Sequence, residues 1–171
     1  CEERFGAGAP ELPAGAVTQS SALRPSGVAE FWGRCKPITS DAATMAWARS
    51  RGFGTRLGQL VAEDLARLTP EGREGYPDWW APGRQRTWRL VTRAWDISGV
   101  LQSMHARATC AGYPKMSDGR DGPKTLWPKH PNDNEKFESH SLFFACPRAL
   151  KVLRGEAAPA RALLLVEGLT D

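Results

Sequence analysis

Glu167 and Asp171 stand either side of a glycine turn at the exit of an aliphatic run, in the stretch Leu163-Leu164-Leu165-Val166-Glu167-Gly168-Leu169-Thr170-Asp171. Two carboxylates placed this close can hold a divalent metal, and their hard oxygen donors suit Mg²⁺ or Mn²⁺ rather than zinc. Aliphatic residues on both faces fit a central strand covered by helices, and open α/β sheets place their chemistry at the carboxyl ends of such strands. Gly168 lets the backbone turn sharply between the two acids. An ordinary buried strand with a polar exit uses the same residues, so the assignment needs support from the rest of the chain.

Charge gives some. The 171 residues carry a net charge of +4, divided unevenly. Residues 1–83 hold nine basic and ten acidic side chains, residues 84–154 hold thirteen against six, and the remainder is net −2. A basic middle beside an acidic, metal-type corner is what an enzyme acting on a phosphate backbone needs, because cations hold phosphates while carboxylates hold the metal. A solvated basic face has the same composition. The four cysteines form no C-x-x-C pair and the three histidines, His105, His130 and His140, lack ligand spacing. The thiols are expected to be reduced and structural in a cytoplasmic protein, and the histidines to sit on the surface or in loops. No run of about 18 apolar residues exists, so nothing in the sequence reads as a membrane-spanning helix.

The elements that must position these residues follow from periodicity. Residues 1–27 are rich in Gly, Ala, Pro and Ser and are expected to be a flexible lead-in. Val28, Phe31, Trp32 and Cys35 recur at helical spacing until Pro37. Ser40 or Asp41 can cap a second helix that closes at Arg51-Gly52, and a third helix is expected over 57–68. Trp79-Trp80 lies among helix breakers, where two rings could stack on bases or pack onto a helix. Residues 88–95 and 100–107 alternate around the turn Asp96-Ile97-Ser98-Gly99 and predict a hairpin, with Arg89 and Arg93 on one face. A loop over 111–122, a short strand or turn near Leu142-Phe143-Phe144-Ala145, a helix near 149–153 and the final strand complete the order. The start Cys1-Glu2-Glu3-Arg4 has neither an initiator Met nor a signal-peptide core, and the sequence stops directly after a strand. A piece of a longer protein is therefore expected.

This order resembles the catalytic core of bacterial-type replicative DNA primases. Trp47-Ala48-Arg49-Ser50-Arg51-Gly52-Phe53 is similar to the helix ending in arginine-glycine near the start of that core. Arg89-Leu90-Val91, the Asp96 to Gly99 turn and Ala106-Arg107 resemble its strand, Asp-x-x-Gly turn and glycine-arginine strand. Pro123-Lys124 resembles its proline-lysine motif, and Ser141-Leu142-Phe143-Phe144 its Leu-Tyr-Gly step. Val166-Glu167-Gly168-Leu169-Thr170-Asp171 looks like the signature that opens a Toprim fold. Ala106 stands where the family has glycine, Trp127 departs from its continuation, and the loop between Arg107 and Pro123 is long; such divergence fits a phage or mobile-element relative.

The resemblance, over roughly residues 40–171, implies an α+β chain: a helical N-terminal part and basic hairpin subdomain over 28–154, then the first strand of an α/β Toprim fold over 155–171. It implies that Glu167 is a catalytic metal ligand or general base, that Asp171 shares the metal, and that Arg89, Arg107, Lys124 and Lys136 bind template or nucleotide. Mg²⁺ or Mn²⁺ would be the cofactor. Single-stranded DNA and nucleoside triphosphates would be partners, with a replicative helicase as a further candidate and no membrane. The family completes its metal cluster with an Asp-x-Asp motif on a later strand, so these 171 residues alone are expected to be inactive. A non-catalytic single-stranded-DNA-binding Toprim module and a Toprim nuclease are the competing expectations.

Overall fold

The turn Asp96-Ile97-Ser98-Gly99 organises the centre of the molecule. Gly99 adopts φ 79°, a conformation that suits glycine. Its N–H donates to the Asp96 carbonyl (3.0 Å), and the Asp96 side chain accepts from the Val100 N–H (2.9 Å). The flanking residues therefore pair as β3 and β4 below. In this computed structural model the described residues are 23–54, 57–72, 75–80, 87–116, 118–139 and 142–157.

The elements run α1 (Val28–Arg34), β1 (Lys36–Pro37), a 3-10 turn (Ile38–Ser40), α2 (Ala42–Ala48), a wide helical turn (Arg49–Phe53), α3 (Leu57–Ala62), β2 (Ala66–Leu68), β3 (Leu90–Trp95), β4 (Leu101–Arg107), β5 (Thr125–Leu126) and α4 (Pro147–Leu153). The five strands form one antiparallel sheet in chain order, β1-β2-β3-β4-β5. The chain is thus α+β, with strands interleaved among the helices. One sheet takes its strands from both the helix-rich stretch and the hairpin. The Toprim strand expected over 155–171 lies outside the described residues except for 155–157. No helix among the described residues is long and apolar enough to cross a membrane.

Asp41 caps α2 as its side chain predicts, accepting from the Thr44 N–H (2.8 Å) and hydroxyl (2.6 Å), bonds that lower its carboxyl pKa. Gly52 takes φ 84° inside the turn that follows. Leu23 to Gly27, within the expected lead-in, are held in place: the Leu23 carbonyl accepts from the Glu138 N–H (3.1 Å), Arg24 pairs with Glu138 (2.9 Å), and Trp79 Nε1 donates to the Ser26 carbonyl (2.8 Å).

The helix expected over 57–68 is shorter. It ends at Ala62, and Ala66–Leu68 is β2 instead. The cause is Asp64, whose φ of 51° breaks the helix and whose carboxylate is claimed from three directions. Arg67 donates to both its oxygens (2.6 and 3.1 Å) and Trp32 Nε1 to one (3.2 Å). Arg93 Nη1 lies 3.8 Å from the same carboxylate, and Arg93 Nη2 donates to the Asp64 carbonyl (2.7 Å). Arg67 and Arg93 each place a guanidinium 5.1 Å from the Trp32 ring centroid, and Arg67 also donates to the Trp32 carbonyl at the end of α1 (3.0 Å).

Alternation along the strands gives the sheet two coated faces. On one, Val91, Met104 and Ala106 pack with Phe31 and Trp32 of α1 and with Trp79, Trp80 and Trp88. The paired tryptophans are core residues, 4% and 1% exposed, so packing rather than base stacking accounts for them. On the other, Leu68, Ala66 and Leu90 meet Ile38, Ala48 and Trp47.

Partial burial raises the Asp64 carboxyl, and the hydrogen bonds from Arg67 and Trp32 with the two arginine charges outweigh it, so the pKa lies below the ordinary 3.8. Asp64→Asn, which tolerates the φ of 51°, should cost about 1 kcal/mol at neutral pH, a value reduced by the partial exposure of the carboxylate and read from urea midpoints. A depressed folded pKa stabilises fully above the unfolded value and is lost as pH falls through the folded one. Wild type and variant should therefore converge in strong acid, and a gap that persists there would exclude the charge as the cause.

Candidate nucleic-acid interface

Three of the four cations assigned to nucleic acid come to one end of the sheet, the end away from the Asp96 turn. Arg107 is the last residue of β4 and pairs with Leu90 on one side and Thr125 on the other. Arg89 precedes Leu90, and its carbonyl accepts from the Thr69 N–H (2.9 Å). Lys124 precedes Thr125, and its carbonyl accepts from the Ala108 N–H (2.9 Å). Antiparallel pairing therefore sets Arg89, Arg107 and Lys124 on neighbouring chains although the sequence separates them.

Their side chains diverge. Arg89 reaches Glu71 (3.4 Å). Lys124 lies over the Tyr113 ring, its Nζ 4.5 Å from the centroid. Arg107 is 9% exposed and lines a cavity of about 170 Å³ on the α2 face of the sheet. Lys136 sits apart on the exposed 129–139 segment. Arg93, expected beside Arg89 in the basic strand, is committed to Asp64 and Trp32. Much of the remaining positive charge is neutralised locally: Lys115 pairs with Asp121, Arg120 with Asp118 (2.6 Å), Lys129 with Asp133 (2.5 Å) and Arg154 with Glu156 (2.6 Å).

The cavity beside Arg107 was not singled out by the sequence. Its walls are mainly apolar, from Ile38, Trp47, Ala48, Phe53 and Leu90, and its polar atoms come from Thr44, Thr92, His105 and Arg107. Phe53, 39% exposed, stands at its edge. The arginine-glycine turn after α2 and the Arg107 strand thus line the same space. Period-two alternation does put His105 and Arg107 on one face, and that was the available signal. His105 is buried, 8% exposed, correcting its expected surface or loop position. Its ring packs 4.9 Å from Trp127 and 5.0 Å from Phe144. Burial, and then the Arg107 charge, push its pKa from 6.5 down to about 4.

Glu167 and Asp171 lie outside the described residues. Among the described residues, no group of three or more His, Cys, Asp or Glu side chains could hold a metal ion. Cys35, Cys110 and Cys146 are free thiols, and burial pushes Cys35 up to about 12. No protein-family model, curated protein or solved structure matches this chain.

Because the folded His105 pKa of about 4 lies below the unfolded 6.5, the unfolded chain binds the extra proton between those values and stability falls as pH drops through them. Relative to pH 8, this ring should remove roughly 2 kcal/mol by pH 5. His105→Gln, measured by urea denaturation at both pH values, should lose that part of the acid sensitivity; parallel curves for the two proteins would place the sensitivity elsewhere.

Proposed function

We propose that this chain is the amino-terminal, template-holding part of a bacterial-type DNA primase core from a phage or mobile element, continuing into a Toprim fold at Glu167. The observation that carries the proposal is the convergence of Arg89, Arg107 and Lys124 at one sheet end, since these are the positions that the primase resemblance assigns to phosphate binding. The Trp47 to Phe53 turn, the first motif of that resemblance, borders the same cavity as Arg107.

In this reading Lys124, as a point charge on a half-buried stem, and Arg107, with a planar fork, hold phosphates of the template or nucleotide. Glu167 and Asp171 supply carboxylate oxygens, a donor set that suits Mg²⁺ or Mn²⁺. The metal, when bound, would stabilise negative charge on the transferring phosphoryl group. Glu167 lies nearest in type to the base that a primer 3′-hydroxyl requires.

Binding of a labelled single-stranded oligonucleotide, followed by fluorescence anisotropy across a salt series, tests the template-holding role. Lys124→Ala should weaken binding by several-fold and reduce the slope of log affinity against log salt by about 0.7, the value for one lost phosphate contact on a single strand. Primer synthesis from ribonucleotides by the gene product extended past Asp171, beside Glu167→Ala, tests the reaction. Short metal-dependent products lost in the variant are expected. Template cleavage would instead identify a Toprim nuclease, and binding with neither reaction a non-catalytic single-stranded-DNA module.

A further inference from the structure

The loop between β4 and β5 turns an aromatic ring outward on a fixed support. Tyr113 is 57% exposed and Met116 43%. The backbone beneath them is cross-linked: the Met116 N–H donates to the Arg120 carbonyl (2.9 Å), the Gly122 N–H to the Pro114 carbonyl (2.7 Å) and the Gly119 N–H to the Met116 carbonyl (3.0 Å). Lys115 and Asp121 bridge the two arms through backbone and side chain. The base of the loop is fastened twice, by Trp88 Nε1 on the Pro123 carbonyl (2.8 Å) and by the Ala108 N–H on the Lys124 carbonyl (2.9 Å).

Exposing a large ring on such a support gains no burial energy, and among the described residues the Tyr113 hydroxyl makes no hydrogen bond. What the ring does have is a cation. Lys124 Nζ stands over the ring, 4.5 Å from its centroid, and Tyr113 as a residue is 57% exposed. A ring with an ammonium over one face and the Arg89 and Arg107 strand ends nearby matches one kind of occupant: a flat, neutral group joined to an anion. A base of a single strand is that group, with every base presenting a π-face and every linkage a phosphate. Residues 84–154, net +7 from thirteen basic and six acidic side chains, favour a polyanion over an acidic or apolar surface patch of a protein.

We propose that Tyr113 and Lys124 form a stacking platform for one unpaired base of the single-stranded template, the base on the ring face opposite the ammonium and the ammonium on an adjacent phosphate. This rests on the template-holding reading above and adds the residue that distinguishes a single strand from a duplex, whose bases are already stacked on each other.

The test is carried out on the whole chain. An oligothymidylate containing bromodeoxyuridine is irradiated in the complex, and the attached peptide is located by mass spectrometry. Attachment at Tyr113 is expected. In anisotropy titrations Tyr113→Ala should bind the single strand roughly tenfold more weakly, within the range found for loss of one base–aromatic stack. Tyr113→Phe and Tyr113→Trp should retain affinity, a duplex of equal length should be unaffected, and thermal unfolding should be unchanged because the side chain is exposed. If wild type binds the single strand while Tyr113→Ala binds equally well and attachment maps elsewhere, the platform is wrong and the template-holding role survives. If wild type binds no single strand, both fall. Concentration-dependent self-association abolished by Tyr113→Ala would assign the ring to a contact between copies and overturn the platform.

Discussion

Asp64 accepts hydrogen bonds from Trp32 and Arg67, while Arg93 holds both its carboxylate and its carbonyl, so α1, β2 and β3 meet at one acidic residue. The arrangement depends on every member being present. A half-buried carboxylate costs desolvation unless donors surround it, and two adjacent guanidinium groups repel unless an anion lies between them. Trp32 supplies the third element, a ring that accepts both cations and buries its own body against the sheet. The same contact that ends α3 early therefore begins the sheet.

Because the sheet is coated on both faces, its two sides have become different materials. The α1 face is filled by aromatic rings in edge and tilted contacts, with Phe31, Trp79 and Trp80 centred 5.5 to 6.0 Å apart. The α2 face is covered by α2 and the turns on either side of it, and retains space beside His105 and Arg107. Packing on the first side fixes the strand ends that carry Arg89, Arg107 and Lys124. The polar groups on the second side, Thr44, Thr92, His105 and Arg107, line that space.

What could be read from the sequence was whatever has local causes. Asp41 has a capping oxygen to which Thr44 donates, Gly52 and Gly99 stand where backbone must turn back, and the residues flanking Asp96 alternate; all three features follow from local sequence and are present. Ala66-Arg67-Leu68 carries helix-forming residues, and its conversion to a strand depends on Trp32 and Arg93, which are distant in sequence. β1 and β5 have two residues each, too few for a period to show. Of the candidate site, the hairpin pairing was enough to bring Arg89 and Arg107 together, whereas Lys124 joins them through β5, and the fate of each side chain was not legible. Whether an arginine reaches outward or binds a buried partner is decided by tertiary neighbours, as Arg93 illustrates. Glu167 and Asp171 lie beyond the described residues.

The two-residue lengths of β1 and β5 have one further effect. Both are edges of the sheet, and Pro37 in one has no N–H to offer a further strand. In the other, Pro128 follows two residues after Leu126. A free edge is where chains add to one another by backbone pairing, in amyloid as in strand-exchange recognition. Among the described residues, edges cut this short offer little backbone on which such growth could start.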